Sequence, residues 1–176
     1  QEGGNTRYAS QIVLSPVDKE KATTYFKALR GGYDNQTDEI IDTIVEGSMA
    51  IRDWLTARGA KVIEFPLIEY PEAPGSDGIS AIIINEEEIS TGKLWQFLRK
   101  NIVDRKDDID VWFSAPGKEL IQDPESKIIL GVKVEKDGKI LNVRAQNGVV
   151  LATGGFENNE TLVENYTQMP ECFSKG

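Results

Sequence analysis

Val149-Val150-Leu151-Ala152-Thr153-Gly154-Gly155-Phe156 is an apolar run that ends in paired glycines. Four apolar residues in succession suit a strand covered on both faces, as in a nucleotide-binding α/β sheet. Gly154 and Gly155 carry no Cβ, so the backbone there can turn tightly and bring its amides against a ligand. Asn158-Asn159 and the run Glu160 to Tyr166 have the composition of a helix start, whose free N–H groups suit an anion. Read alone, the octapeptide is more readily a buried strand closed by an ordinary glycine turn than a ligand loop.

A second glycine pair stands at the other end of the chain, in Gly3-Gly4-Asn5-Thr6-Arg7, again followed by small hydrogen-bonding side chains. Between the two lie Asp53-Trp54-Leu55-Thr56-Ala57-Arg58-Gly59-Ala60 and Gly92-Lys93-Leu94-Trp95-Gln96-Phe97-Leu98, both helical in character. In this order the segments resemble the flavoprotein subunit family of fumarate reductases and succinate dehydrogenases. The nearer branch is the soluble fumarate reductase, urocanate reductase and 3-ketosteroid dehydrogenase type, with its G-G-N-[ST] segment and its hydrophobic strand ending A-T-G-G-F. The likeness runs over most of the chain.

The resemblance implies FAD as cofactor and a Rossmann-like FAD-binding domain. It implies that Gly3, Gly4, Asn5 and Thr6 cover the pyrophosphate and flavin side, and that Ala152, Thr153, Gly154 and Gly155 pass beneath the adenosine and phosphates. The turn around Ala115 to Lys118, with Gly117 and Lys118, would offer backbone groups to the adenine. The implied parent activity is hydride transfer between FAD and an activated carbon–carbon double bond. The family's dinucleotide fingerprint G-x-G-x-x-G and its catalytic histidines have no counterpart here, for the chain holds no histidine. Residues 1–176 are therefore expected to be a single-domain internal segment of an FAD-binding domain, lacking the fingerprint and the catalytic cap. Such a segment would be inactive by itself, with no catalytic residue assigned and the remainder of the flavoprotein as its partner. Two other readings remain open: an autonomous, non-catalytic binding module, and a structural or assembly subunit.

Composition sets bounds on these readings. The 176 residues, 39% hydrophobic, are enough to bury a core. A formal charge of −9 argues against a nucleic-acid partner, which needs a basic face. No apolar run approaches the roughly 18 to 20 residues that span a bilayer. Cys172, the one cysteine, excludes an internal disulfide and reads as a passive residue. Glu86-Glu87-Glu88 reads as a solvated cluster, and no metal site is expected.

Periodicity fills in the elements. Lys19 to Leu29 is helix-forming and stops at Gly31-Gly32. Ile40, Ile41, Ile44, Val45, Ser48, Ile51 and Leu55 recur at helical spacing, which predicts one helix from about Thr37 to Arg58, capped by Asn35 or Thr37. Lys61 to Phe65 and Ala81 to Ile84 read as strands, Pro66 to Gly78 as a loop, and Thr91 to Val103 as a helix. Residues 109–113, 118–122, 128–135 and 140–145 are strand candidates, with type I′ turn signals at Asp137-Gly138 and Asn147-Gly148.

The expected fold is α/β with α+β character: helices packed on a small sheet, with an antiparallel β-meander as a second layer. Trp95 and Trp112 are read as packing residues. Arg7 is a surface charge or a phosphate contact; Arg30, Arg52, Arg58, Arg99, Arg105 and Arg144 are surface or helix-end charges. Apolar surface left uncovered in such a segment would favour a homodimer.

Overall fold

Ile79 to Ile84 forms the middle strand of one of two three-stranded sheets, and its isoleucines are packed on both faces. In the computed structural model, which describes residues 2–32, 36–66, 69–85 and 92–167, the chain forms two compact units. One is Asn5–Lys106; the other comprises the remaining described residues, 2–4 and 107–167.

The first unit contains β1 (Val13–Pro16), α1 (Lys19–Arg30), α2 (Asp38–Met49), α3 (Ile51–Ala57), β2 (Val62–Pro66), β3 (Ile79–Ile84) and α4 (Lys93–Val103). Its sheet has the order β1-β3-β2, antiparallel throughout. Pro16 lies on an edge strand, where its missing N–H costs no ladder bond. Alternation along β3 divides the core. Ile79 packs with Ala22 and Tyr25 of α1 and with Ile41 and Val45 of α2. Ile82 and Ile84 pack with Leu55, Ala60 and Phe97 of the α3 and α4 side. A central strand covered on both faces calls for a mainly apolar sequence, and ISAIII is apolar at every position but Ser80.

The helix boundaries follow from local chemistry. Asp18 caps α1 by accepting from the Lys21 amide at 3.0 Å, and Gly31 ends the helix with a φ of 60°. Thr37 caps α2 through a 3.3 Å bond from the Ile40 amide; Asn35, the alternative cap, lies outside the described residues. The single helix expected over 37–58 is interrupted at Ala50, two residues after the pair Gly47-Ser48. Glycine–serine pairs are recurrent sites of helix irregularity.

The second unit holds β4 (Gly117–Gln122), β5 (Ile129–Lys136), β6 (Lys139–Arg144) and α5 (Glu160–Thr167). The strands form the expected antiparallel meander, β4-β5-β6. Asp137 and Gly138 have φ of 52° and 71°, the two positive values that a type I′ hairpin requires. Gly131 on β5 sits against the Val143 carbonyl of β6 so closely that a Cβ would collide with it.

Three expectations need correction. Residues 109–113 are not a strand, and Trp112 is 44% exposed, outside the core. Asn147 lacks positive φ, so Asn147-Gly148 is not a type I′ turn, although Gly148 has a φ of 145°. Residues 149–152 form no strand: Val150 is 90% and Leu151 66% exposed. A buried strand is made by its ladder partners and cover, and neither three-stranded sheet pairs with this segment. Cys172 and Glu86 to Glu88 lie outside the described residues. Among the described residues no helix is long and apolar enough to cross a membrane.

Candidate functional site

Both glycine pairs contain the backbone shapes that their sequence suggests. Gly3 has a φ of 97° and Gly4 of 47°. Gly4 opens a 3-10 turn, Gly4–Arg7, which carries Asn5 and Thr6. Tyr8 and Ala9 amides both donate to the Asn5 carbonyl, at 3.0 and 2.9 Å, which closes the turn. At Gly4 nothing lies where a Cβ would stand, so backbone conformation, and no packing neighbour, dictates glycine there.

At the other pair, Gly154 has a φ of 75° and open space at its Cβ position. A Cβ on Gly155 would meet the Glu157 side chain. Ala152 and Thr153 are exposed and lie outside regular structure. The helix after this loop supplies its own partner: Asn159 Oδ1 accepts from the Leu162 amide at 3.1 Å, and Glu160 adds an acidic group to the first turn. Both features work against an anion at this helix end, contrary to the expectation from Asn158-Asn159.

Gly117 and Lys118 are not in a turn after a strand; they open β4, with Gly117 opposite Val134 and an irregular register before Glu119. The Pro116 carbonyl accepts from the Glu135 amide at 3.1 Å, and Lys118 Nζ pairs with Glu135 at 2.8 Å. By unit, Gly3 and Gly4 group with Gly117, Lys118 and Ala152 to Gly155, whereas Asn5 and Thr6 belong to the unit Asn5–Lys106.

Within that unit the turn stands beside α4. Arg7 places its guanidinium 5.0 Å from the Trp95 ring centre and 5.6 Å from that of Tyr8. With Ala9, Gly92 and Gln96 these residues line a cleft of about 460 Å³. Trp95 is half-buried and stacks on a cation rather than filling the core. Gln11, which sequence reasoning passed over, has a φ of 66° and bonds both the turn and α4. Its signal lies in the fold alone, since the α4 partner is 84 residues away.

Other arginines have structural partners, in keeping with their reading as surface charges. Arg30 bonds Asp38 and the Gln36 carbonyl, each at 2.8 Å. Arg52 pairs with Glu64, Arg58 lies 3.8 Å over the Trp54 ring, and Arg105 bonds Asn101. Among the described residues no group of three or more acidic or cysteine side chains is placed to hold a metal.

The comparisons agree with one another. A family model described as FAD binding domain matches residues 3–175. A 3-oxosteroid 1-dehydrogenase of Comamonas testosteroni is 37% identical over 62 residues, which cover 35% of this chain and 11% of that protein. An NADH:fumarate oxidoreductase of Klebsiella pneumoniae is 26% identical over 179 residues, covering 93% of this chain and 18% of that protein. The chain thus spans less than a fifth of either curated relative. Among solved structures, the 3-ketosteroid delta1-dehydrogenase of Sterolibacterium denitrificans, in complex with 1,4-androstadiene-3,17-dione, superposes with a TM-score of 0.75 at 18% identity. That match covers 93% of this chain and 43% of the other. The 3-ketosteroid-delta4-(5alpha)-dehydrogenase of Rhodococcus jostii RHA1, in complex with 4-androstene-3,17-dione, gives 0.71 at 21% identity, covering 92% and 40%.

Proposed function

The chain belongs to the FAD binding domain family, and from that premise we propose that it contributes the two glycine loops of the FAD site in a flavoprotein oxidoreductase. The observation that carries the reading is the left-handed backbone at Gly3, Gly4 and Gly154, with the Cβ space at Gly4 and Gly154 free for a ligand. A dinucleotide needs backbone amides at close approach and few charged side chains, and these loops supply that. Gly3, Gly4, Asn5 and Thr6 would hold the pyrophosphate and flavin side, and Ala152, Thr153, Gly154 and Gly155 the adenosine side. Gly117 and Lys118 would act on the adenine through backbone atoms, since the Lys118 side chain is paired with Glu135.

FAD, when bound, supplies hydride chemistry, and the proposed parent reaction exchanges a hydride with a carbon–carbon double bond activated by a carboxylate or carbonyl. The relatives that act on fumarate and on oxosteroids support this reaction class. This chain's own residues bind and orient; none of them is assigned to catalysis. By itself the chain would hold FAD weakly, because Val150 and Leu151 are exposed where the adenosine loop needs a covered strand. Their exposure, with that of Ile128 and Ile140, also supports self-association of the isolated chain.

The test is FAD titration of the complete gene product, followed by quenching of flavin fluorescence. Gly4→Ala and Gly154→Ala should each weaken FAD about fivefold, from the cost of left-handed backbone in a residue with a Cβ. A complete gene product that does not bind FAD sinks the reading. Stoichiometric FAD on the isolated chain would refute the claim of weak binding alone.

A further inference from the structure

Helix α4 begins without a cap of its own. Its N-cap position is Gly92, left-handed and with no side chain to accept from the first-turn amides. Gln11 fills that role from 84 residues away: its Oε1 accepts from the Trp95 amide at 3.0 Å. The same side-chain amide donates through Nε2 to the Thr6 carbonyl and, at 3.0 Å, to the Ala9 carbonyl. One planar group thereby fixes the turn after Gly3-Gly4 to the first turn of a core-packed helix. Gln11 makes these bonds with a φ of 66°, a region where glycine sits more easily than glutamine. The unfavourable backbone is held in place by three side-chain bonds, and a residue maintained against its own preference invites a functional reading. Arg7 on the Trp95 ring adds a second tie between the same two segments.

We propose that Gln11 is a positioning residue for the FAD loop, holding the turn Gly4–Arg7 in its cofactor-receiving shape by clamping it to α4. The proposal rests on the FAD-binding reading above. A loop that is already ordered loses less freedom when the ligand arrives, so the clamp raises affinity without touching the ligand.

Two substitutions separate the halves of the clamp. Gln11→Gly eases the backbone and removes all three bonds. Gln11→Glu keeps an acceptor for the Trp95 amide but sets a carboxylate against the Thr6 and Ala9 carbonyls. FAD affinity is measured on the complete gene product, and Trp95 amide exchange is measured by NMR without FAD. Both variants should bind FAD about three- to tenfold more weakly, because only part of the two or three lost hydrogen bonds is felt at the ligand. Trp95 exchange should accelerate in Gln11→Gly and stay slow in Gln11→Glu.

Wild-type affinity in both variants overturns the proposal. So does a loss of affinity accompanied by faster exchange throughout the core, which would mark Gln11 as merely structural. If the unsubstituted protein does not bind FAD, the family-based reading falls first, a result distinct from variants that fail to differ.

Discussion

Residues 5–106 and residues 107–167 both combine helix with a three-stranded antiparallel sheet, yet they dispose of apolar surface in opposite ways. Among the described residues, the buried hydrophobic side chains lie in the first unit, apart from Val134 and Val163. In the second, Ile128, Ile140, Val150 and Leu151 are each at least 60% exposed. The first unit is a core with a sheet inside it; the second is a hydrogen-bonded ladder with little core. Hydrophobic burial is the dominant favourable term in folding, so the first unit should set the stability of the chain.

The largest test of that contrast is truncation at the centre. Ile82→Ala, at a fully buried position in the cluster with Leu55, Ile84 and Phe97, should cost about 2 to 5 kcal/mol by denaturant unfolding. Val134→Ala removes less and should cost about 1 to 2 kcal/mol. Equal costs would break the contrast.

Next comes the ladder's own weak point. Gly131→Ala drives a methyl into the Val143 carbonyl and should destabilise the meander by about 1 to 3 kcal/mol. Hydrogen exchange should show the loss along β5 and β6 while α1, α2 and β3 keep their protection. A smaller effect belongs to the first unit: Thr37→Ala deletes the α2 cap and should cost about 1 kcal/mol, read as a lower unfolding midpoint.

The smallest effect concerns pH. Hydrogen bonds from Lys27, then Arg30, hold the Asp38 carboxyl below its ordinary value. Asp123, in the other unit, is held low by the Ser126 amide and hydroxyl and the Glu125 amide. A depressed carboxylate contributes stability that is present above its unfolded pKa and lost as pH falls through the folded one. Both contributions should therefore disappear in the acid range. High salt should move the Asp38 titration toward its ordinary value and leave Asp123 low, because screening weakens ion pairs more than backbone hydrogen bonds. Carboxyl titration by NMR at two salt concentrations decides it; equal salt responses would remove this distinction between the units.

Legibility in the sequence follows the same division. Where a segment's structure depends on its own residues, the reading holds: the helical spacing of Ile41 and Val45, the Asp137-Gly138 hairpin and the glycine stop after α1. Where strand composition meets no ladder partner, the reading fails. Val149 to Ala152 has strand composition and no ladder partner, and residues 109–113 are alike in this respect. The interruption at Ala50 had a local signal in Gly47-Ser48, outweighed by the apolar periodicity around it. For the site, the positive-φ glycines were legible because only glycine takes that backbone freely. Gln11 was not, because nothing near it in sequence announces a partner on α4.

Each of the three tryptophans lies under a cation: Arg58 at 3.8 Å from Trp54, Arg7 at 5.0 Å from Trp95 and Lys136 at 4.3 Å from Trp112. They stand on α3, at the start of α4 and in the meander unit, so the molecule carries a built-in optical probe in each place. Single-tryptophan versions would let emission spectra follow α3, the start of α4 beside the Gly4–Arg7 turn, and the meander unit separately, with no dye attached.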